Sequence, residues 1–372
     1  MATLKQENTN VLLLWNTNTP YFADSVEWCP HFPYQHVFVC GMYQLEENNT
    51  EGEQKRLGAI HLFSVLEKCI CLQKLQLSGI LDMKWCPYKV NEKCLLSVAN
   101  ANGTIGVFQL IQDDKKEKKI QLEHILFSEI NPVFPNLILS LDWYQEKNIL
   151  SSNCMVSSES NGNIDLLQLT ESELKVKLKC QAHMHETWIV CFDYHNNNII
   201  YSGSDDTYLK GWDSRTNMNI PLFINKCHTM GVTSLRSSFK REFLLLSGSY
   251  DEIIRLWDTR KMKQPLIQKE VGGGIWRLKW QPYNEKHILA ACNENGIHIL
   301  KLLEDTSMEV VASNKIHSSL AYGADWSWLS SDWTKNNSEN EECENFNSKN
   351  SLIVSCSFYD QYLCLWKAVL EE

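Results

Sequence analysis

Three stretches of the chain hold a histidine, a serine and an aspartate at similar spacing, the residue types of an acyl-transfer site. The first is His228, Ser247 and Asp251, followed by Trp257. The second is His185, Ser202 and Asp206, followed by Trp212, with His183 competing for the histidine role from the same loop. The third is His317, Cys356 and Asp360, followed by Trp366, with cysteine in the serine's place. Such a trio can activate a hydroxyl for attack on an ester or amide, the histidine taking the proton and the aspartate orienting the histidine. A catalytic site needs one copy, whereas this set recurs. Recurrence with a trailing tryptophan suits a repeated scaffold in which buried polar groups satisfy one another. These residues are therefore expected to be structural.

The segments that position them repeat as well. Seven apolar runs close on an aromatic residue or a substitute for one: ADSVEWCP, ILDMKWCP, ILSLDW, IVCFDY, VTSLRS, IWRLKW and YGADW. The closing positions are Trp28, Trp85, Trp143, Tyr194, Ser237, Trp280 and Trp326, at intervals of 57, 58, 51, 43, 43 and 46 residues. The later intervals match a four-stranded propeller blade, and the longer early ones require insertions. Polar segments supply them at 45–56, 111–121 and 329–350, expected to be flexible surface loops because they carry too little apolar surface to fold. Apolar alternation around tight turns reads as hairpins, with Asn102-Gly103 and Asn161-Gly162 suited to positive φ. No helical period of useful length appears. The expected fold is all-β: one seven-bladed propeller spanning residues 1–372. The last strand, near Tyr362 to Trp366, leaves the seventh blade one strand short. Val11 to Trp15 precedes the first blade and is predicted to complete the seventh, closing the ring without a bare sheet edge.

The recurring set resembles the WD-repeat tetrad, in which a loop histidine bridges a strand serine and a turn aspartate while the tryptophan donates to the serine. In such a fold the histidine loops and aspartate turns emerge on one face. Residues beside them then line the channel mouth: Trp188, Asp205, Tyr250 and Tyr359. Within the inner strands, Asp24, Arg277 and Tyr322 are polar where apolar residues would be unremarkable. Gly272, Gly273 and Gly274 would allow a close backbone approach. Aromatic and charged side chains converging on one mouth make a binding surface. There is no GxSxG elbow, P-loop or HExxH.

The formal net charge of −10 argues against nucleic-acid binding by bulk charge. No basic segment followed by a long apolar one opens the chain, and its early apolar run is too short to span a bilayer. The 14 cysteines form no CxxC pair and read as buried thiols of a reducing, cytoplasmic protein. Cys69 and Cys71 are joined by no further ligand in sequence, so no metal or cofactor is expected.

ADSVEWCP, ILDMKWCP, HTMGV, GSYDE with LWDTR, GGGIWRLKW, YGADWSWL and CSFYD together resemble the diphthine methylesterase family, the WD-repeat proteins of diphthamide biosynthesis, also named diphthine methyltransferases. The resemblance runs from about Ala23 to Trp366. It implies hydrolysis of the methyl ester of diphthine methyl ester on elongation factor 2, giving diphthine and methanol; a cytoplasmic monomer without a cofactor is expected. By position, Asp24 is the expected base, and Arg277 or the amides at Gly272 to Gly274 the expected anion stabilisers. Trp188, Tyr250 and Tyr359 suit a trimethylammonium group. The alternative is a non-enzymatic scaffold that presents elongation factor 2 to the amidating enzyme.

Overall fold

Short alternating apolar segments between polar turns pair antiparallel into seven four-stranded sheets. The computed structural model describes residues 10–46, 55–113, 119–130, 136–145, 153–304, 306–329 and 350–370. The inner strands of blades 1 to 7 are Phe22–Trp28, Ile80–Trp85, Ile138–Trp143, Ile189–Phe192, Val232–Ser237, Arg277–Trp280 and Ala321–Trp326. Each begins a blade, and the chain then steps outward strand by strand. Blade 7 alone mixes the two ends of the chain. Its outer strand is Val11–Asn18, paired with the last strand, Tyr362–Val369, as the ring-closure reading expects.

The closing tryptophans do more than fill the core. Trp85 Nε1 donates to the Glu27 carbonyl of blade 1, Trp143 Nε1 to Lys84 of blade 2, and Trp326 Nε1 to Lys279 of blade 6, at 3.1–3.3 Å. Inner-strand acids stitch the same seams. Asp82 accepts from Leu141 N, Asp142 from Phe192 N, and Asp325 from Trp28 N. With Ser237 accepting from Tyr194 N and Ser234 from Leu278 N, each blade is tied to the next by a buried polar contact as well as by packing.

At two turns glycine is required. Gly103 and Gly162 take φ of 80° and 90°, and a Cβ on Gly162 would stand 2.2 Å from the His183 carbonyl. That carbonyl belongs to the histidine loop of the next blade, so the turn helps to set the loop. Of the three polar segments, Leu45 ends one strand and Arg56 starts the next. At 111–121 both ends are strand, paired as far as Asp113 with Lys119. Residues 47–54, 114–118 and 330–349 of these segments lie outside the described residues.

The structure corrects two members of the recurring sets. In blade 4 the histidine is His183, not His185. Its Nδ1 donates to Asp206 at 2.8 Å, its Nε2 accepts from Ser202 at 2.8 Å, and Trp212 Nε1 donates to the same serine. His185 is exposed. In blade 7 the serine is Ser355, not Cys356. His317 Nε2 and Trp366 Nε1 both meet Ser355 Oγ, at 2.7 and 3.0 Å. Cys356 faces the opposite side of its strand, where its Sγ stands 2.7 Å from where a Cβ on Gly323 would be. Blade 5 keeps His228, Ser247 and Trp257 but inserts a cation. Arg255 Nη1 lies 2.8 Å from both His228 Nδ1 and Asp251 Oδ2, which are themselves 3.5 Å apart. Burial lowers the pKa of His183 and His228, which keeps both rings neutral as structural members.

The two blade-4 histidines should therefore respond oppositely to substitution. His183→Ala leaves Ser202 and Asp206 short of a buried partner and should cost about 2–3 kcal/mol. His185→Ala should change stability by less than about 0.5 kcal/mol. Urea denaturation of both variants tests this, and equal losses would restore His185 as a partner in the set.

Candidate functional site

The channel has a cavity at each end. One sits where the inner strands start and the other where they finish. At the starting end, Asp24, Thr233 and Arg277 line a cavity of about 20 Å³, between Leu81 and Leu139 and against Trp188 and Trp276. That is room for about one water.

Asp24 and Arg277 meet here from blades 1 and 6. Both are buried. Burial pushes the Asp24 carboxyl up to about 7, with Arg277 opposing the rise and the nearby Asp82 adding to it. The Trp276 indole favours the Asp24 anion slightly, without the geometry of a full hydrogen bond. Asp24 Oδ1 is buried with no hydrogen-bond partner. Arg277 Nη1 pairs with Asp82 at 3.3 Å. Asp82 is fully buried and also accepts from Ser140 Oγ at 3.2 Å. Asp82 therefore fixes Arg277, while Asp24 is left as the acid with the least compensation. A carboxyl in that condition exchanges protons near neutral pH.

Above it the aromatic residues form one connected surface. Trp276 is its hub: it stacks on Tyr322 at 4.5 Å and touches Trp188 and Tyr250 at 5.5 and 6.0 Å between ring centres. Tyr322 leads on to Phe358 at 4.9 Å, and Phe358 touches Phe22 and Tyr359. Tyr359 is the most open of these rings, 64 % exposed. Trp188 Nε1 donates to Asp205 at 3.4 Å, which brings an exposed acid to the rim. Burial pushes the Tyr250 phenol up to about 12, so it stays neutral.

All seven residues expected at this mouth stand there, tied together directly or through Trp276 and Phe358. The sequence reading missed both connecting rings, along with Phe22 and Asp82. Trp276 adjoins Arg277, and Phe358 adjoins Tyr359, within motifs already singled out. The glycine run behaves differently from expectation. A Cβ on Gly273 would stand 2.4 Å from the Cys292 carbonyl, and one on Gly274 would stand 2.7 Å from the Tyr250 ring. These glycines make room for the protein's own packing and for Tyr250.

The family description "WD domain, G-beta repeat" matches residues 175–213 and 219–258. With seven blades on the page, the fold and this site define a WD-repeat β-propeller whose channel opens on an aromatic, acid-bearing mouth. A chain of a solved Mitotic Checkpoint Complex superposes with a TM-score of 0.68 over 100 % of this chain and 95 % of that one, at 13 % identity, a likeness of fold alone. Sequence relatives are far nearer. Proteins named diphthine methyltransferase are 40 % identical in Mus musculus, over 85 % of this chain and 70 % of that one, and 40 % identical in Homo sapiens, over 85 % and 75 %. A homolog of that name in Dictyostelium discoideum is 34 % identical over 93 % of this chain and 96 % of its own. The chain belongs to the diphthine methyltransferase family.

Among the described residues, no helix is long and apolar enough to cross a membrane, and no group of three or more His, Cys, Asp or Glu side chains is placed to hold a metal ion.

Proposed function

We propose that this protein acts in diphthamide biosynthesis as a carboxylic ester hydrolase, removing the methyl ester from diphthine methyl ester on elongation factor 2 in the cytoplasm. The observation that carries the proposal is the buried Asp24 carboxyl, poised near neutrality beside Arg277 and a cavity of about one water's size under an aromatic roof. The relatives' shared name supports the substrate.

In this mechanism ionised Asp24 takes a proton from a water in the cavity. The water oxygen attacks the ester carbon, and the carbonyl pair moves onto the oxygen. The Arg277 guanidinium offsets the charge that develops there, since its pair with Asp82 uses only one of its nitrogens. Collapse expels methoxide, which recovers the proton from Asp24 and leaves as methanol. The acid product then ionises to solvent. The trimethylammonium group rests against Trp188, Trp276, Tyr250 and Tyr359, where each good cation–π contact adds about 0.5–2 kcal/mol. Asp205 supplies the nearby negative charge. The phenols of Tyr250 and Tyr322 stay neutral, so they present ring faces and O–H donors.

The test is direct. Purified protein is mixed with methyl-esterified elongation factor 2, and the modified peptide is followed by mass spectrometry. Loss of the methyl mass with release of methanol is expected. Binding without that loss would overturn the hydrolase assignment and support a scaffold that hands the factor to an amidating enzyme.

A further inference from the structure

The channel's other mouth holds a cavity of about 480 Å³ that the proposed reaction does not use. Its base is ionic and is assembled from several blades. Lys84 Nζ of blade 2 and Lys279 Nζ of blade 6 both donate to the same oxygen, Oε1 of Glu27 in blade 1, at 2.7 and 2.5 Å. All three residues are more than nine-tenths buried. An ammonium has three N–H donors, and among the described residues each of these lysines makes one hydrogen bond. Their other ion pairs are longer, Lys84 to Asp82 at 3.7 Å and Lys279 to Asp325 at 3.4 Å. Arg236 of blade 5 is close enough to act on both Glu27 and Lys84.

Two buried ammoniums sharing one carboxylate oxygen leave donors that call for a further acceptor. Burial pushes Lys84 down to about 8 despite its acidic partners. Flat rings wall the cavity above this base, Trp85, Trp280 and Trp328 among them, and Lys240 adds positive charge at the rim. The geometry points to a binding site for a free small molecule bearing an oxyanion on an aromatic body, an aryl phosphate or carboxylate. The oxyanion accepts from the spare donors of Lys84 and Lys279, and the ring lies against the tryptophans. This site is on the opposite mouth from Asp24 and does not depend on the proposed ester hydrolysis.

The probe is phenyl phosphate, titrated calorimetrically into the full-length protein. We expect saturable binding, weaker binding of inorganic phosphate and none of benzyl alcohol. Lys279→Met should weaken phenyl phosphate at least about tenfold, the usual cost of one charge-assisted hydrogen bond. Lys240→Glu, an exposed change that spares the core, should weaken it several-fold, and Asp24→Asn should leave it within about twofold. Three results would overturn the site: no saturation in the unmodified protein, equal binding of benzyl alcohol, or affinity indifferent to both lysine changes. Inorganic phosphate binding as tightly as phenyl phosphate would overturn the aromatic part. Acetyl-phosphotyrosine amide carries the same group on a peptide, and tighter binding of that compound would overturn the free-ligand assignment.

Discussion

Replacing Asp24 by asparagine is expected to cut methyl-ester hydrolysis by about 10²–10⁴-fold, the usual contribution of a positioned general base, while leaving the protein at least as stable at pH 8. The two halves of this expectation have one cause. Burial raises the Asp24 carboxyl to about 7, against an ordinary value of 3.8. Between those values the folded chain keeps a proton that the unfolded chain has lost. Stability must therefore fall as pH rises from about 4 to 7, and above 7 the folded state carries the whole cost of a buried anion. Asparagine carries no such charge. The difference in unfolding free energy between variant and parent, measured in urea at pH 5 and pH 8, should move toward the variant at the higher pH. The rate has its own signature. In the parent, kcat/KM should rise with pH as Asp24 ionises and level off above about 7, and the variant should lose that limb. A variant that keeps full turnover sinks the role of Asp24. One that loses stability and turnover together at pH 8 marks Asp24 as structural.

Arg277 separates positioning from charge within the same pocket. Its Nη1 is fixed by Oδ1 of the fully buried Asp82, the same oxygen that has Lys84 at 3.7 Å. Acids and bases therefore alternate along the channel from the aromatic mouth toward the opposite one. The same inner strands supply both ends, because alternate residues of a strand point the same way. Arg277 and Lys279 face the channel from blade 6, as do Asp82 and Lys84 from blade 2. Evenly spaced polar residues in short, otherwise apolar strands are thus the sequence mark of this channel.

That mark was partly legible. Asp24 and Arg277 stood out as polar residues in apolar strands, and the structure brings them to one cavity. Asp82 and Lys84 carry the same signal in ILDMKW, but their partners come from blades 6 and 1, and strand pattern does not say which blades face one another. The fold was more open to reading because blade spacing and closing aromatics are local and repeat. Errors arose where one residue changes the register. His183 precedes Ser202 by the same interval that separates His228 from Ser247, and His185 does not. In blade 7 the turn from Phe358 to Gln361 is one residue longer, with Gln361 at a φ of 54°, so the serine moves to Ser355 and the fixed offset lands on Cys356. Trp276 and Phe358 were missed for another reason. Their neighbours in sequence were named, but which loop residue turns inward depends on contacts with Tyr322, a strand residue of another segment.

Removing residues 1–18 should be the most damaging change to the fold itself. The strand Val11–Asn18 half-buries alternate residues, and Trp15 sets its ring edge against Phe63 of blade 1 at 5.5 Å. Its register with the last strand runs from Val11 opposite Ala368 to Asn18 opposite Tyr362. Just beyond, Asn18 Nδ2 and Thr19 N hydrogen-bond to the carbonyls of Asp360 and Gln361, tying the strand end to the turn that carries Tyr359. Without this strand, the apolar edge YLCLWKAV is bare along its whole length, an invitation to pair with another chain. The shortened protein is expected to elute from size-exclusion chromatography as larger species than the intact protein, and to melt at least about 5 °C lower by tryptophan fluorescence. A synthetic peptide covering residues 9–19 should reverse both effects by adding itself as the missing strand, since strand addition supplies the same main-chain bonds in trans. A shortened protein that elutes like the intact one with an unchanged melt would mean that three strands suffice for blade 7. Failure of the peptide to rescue a destabilised variant would mean that the covalent link between blades 7 and 1 matters more than the strand. The aromatic mouth should follow the same rule. Tyr359 and Phe358 sit on the turn that this strand pins, so the peptide should restore substrate binding in step with the melt.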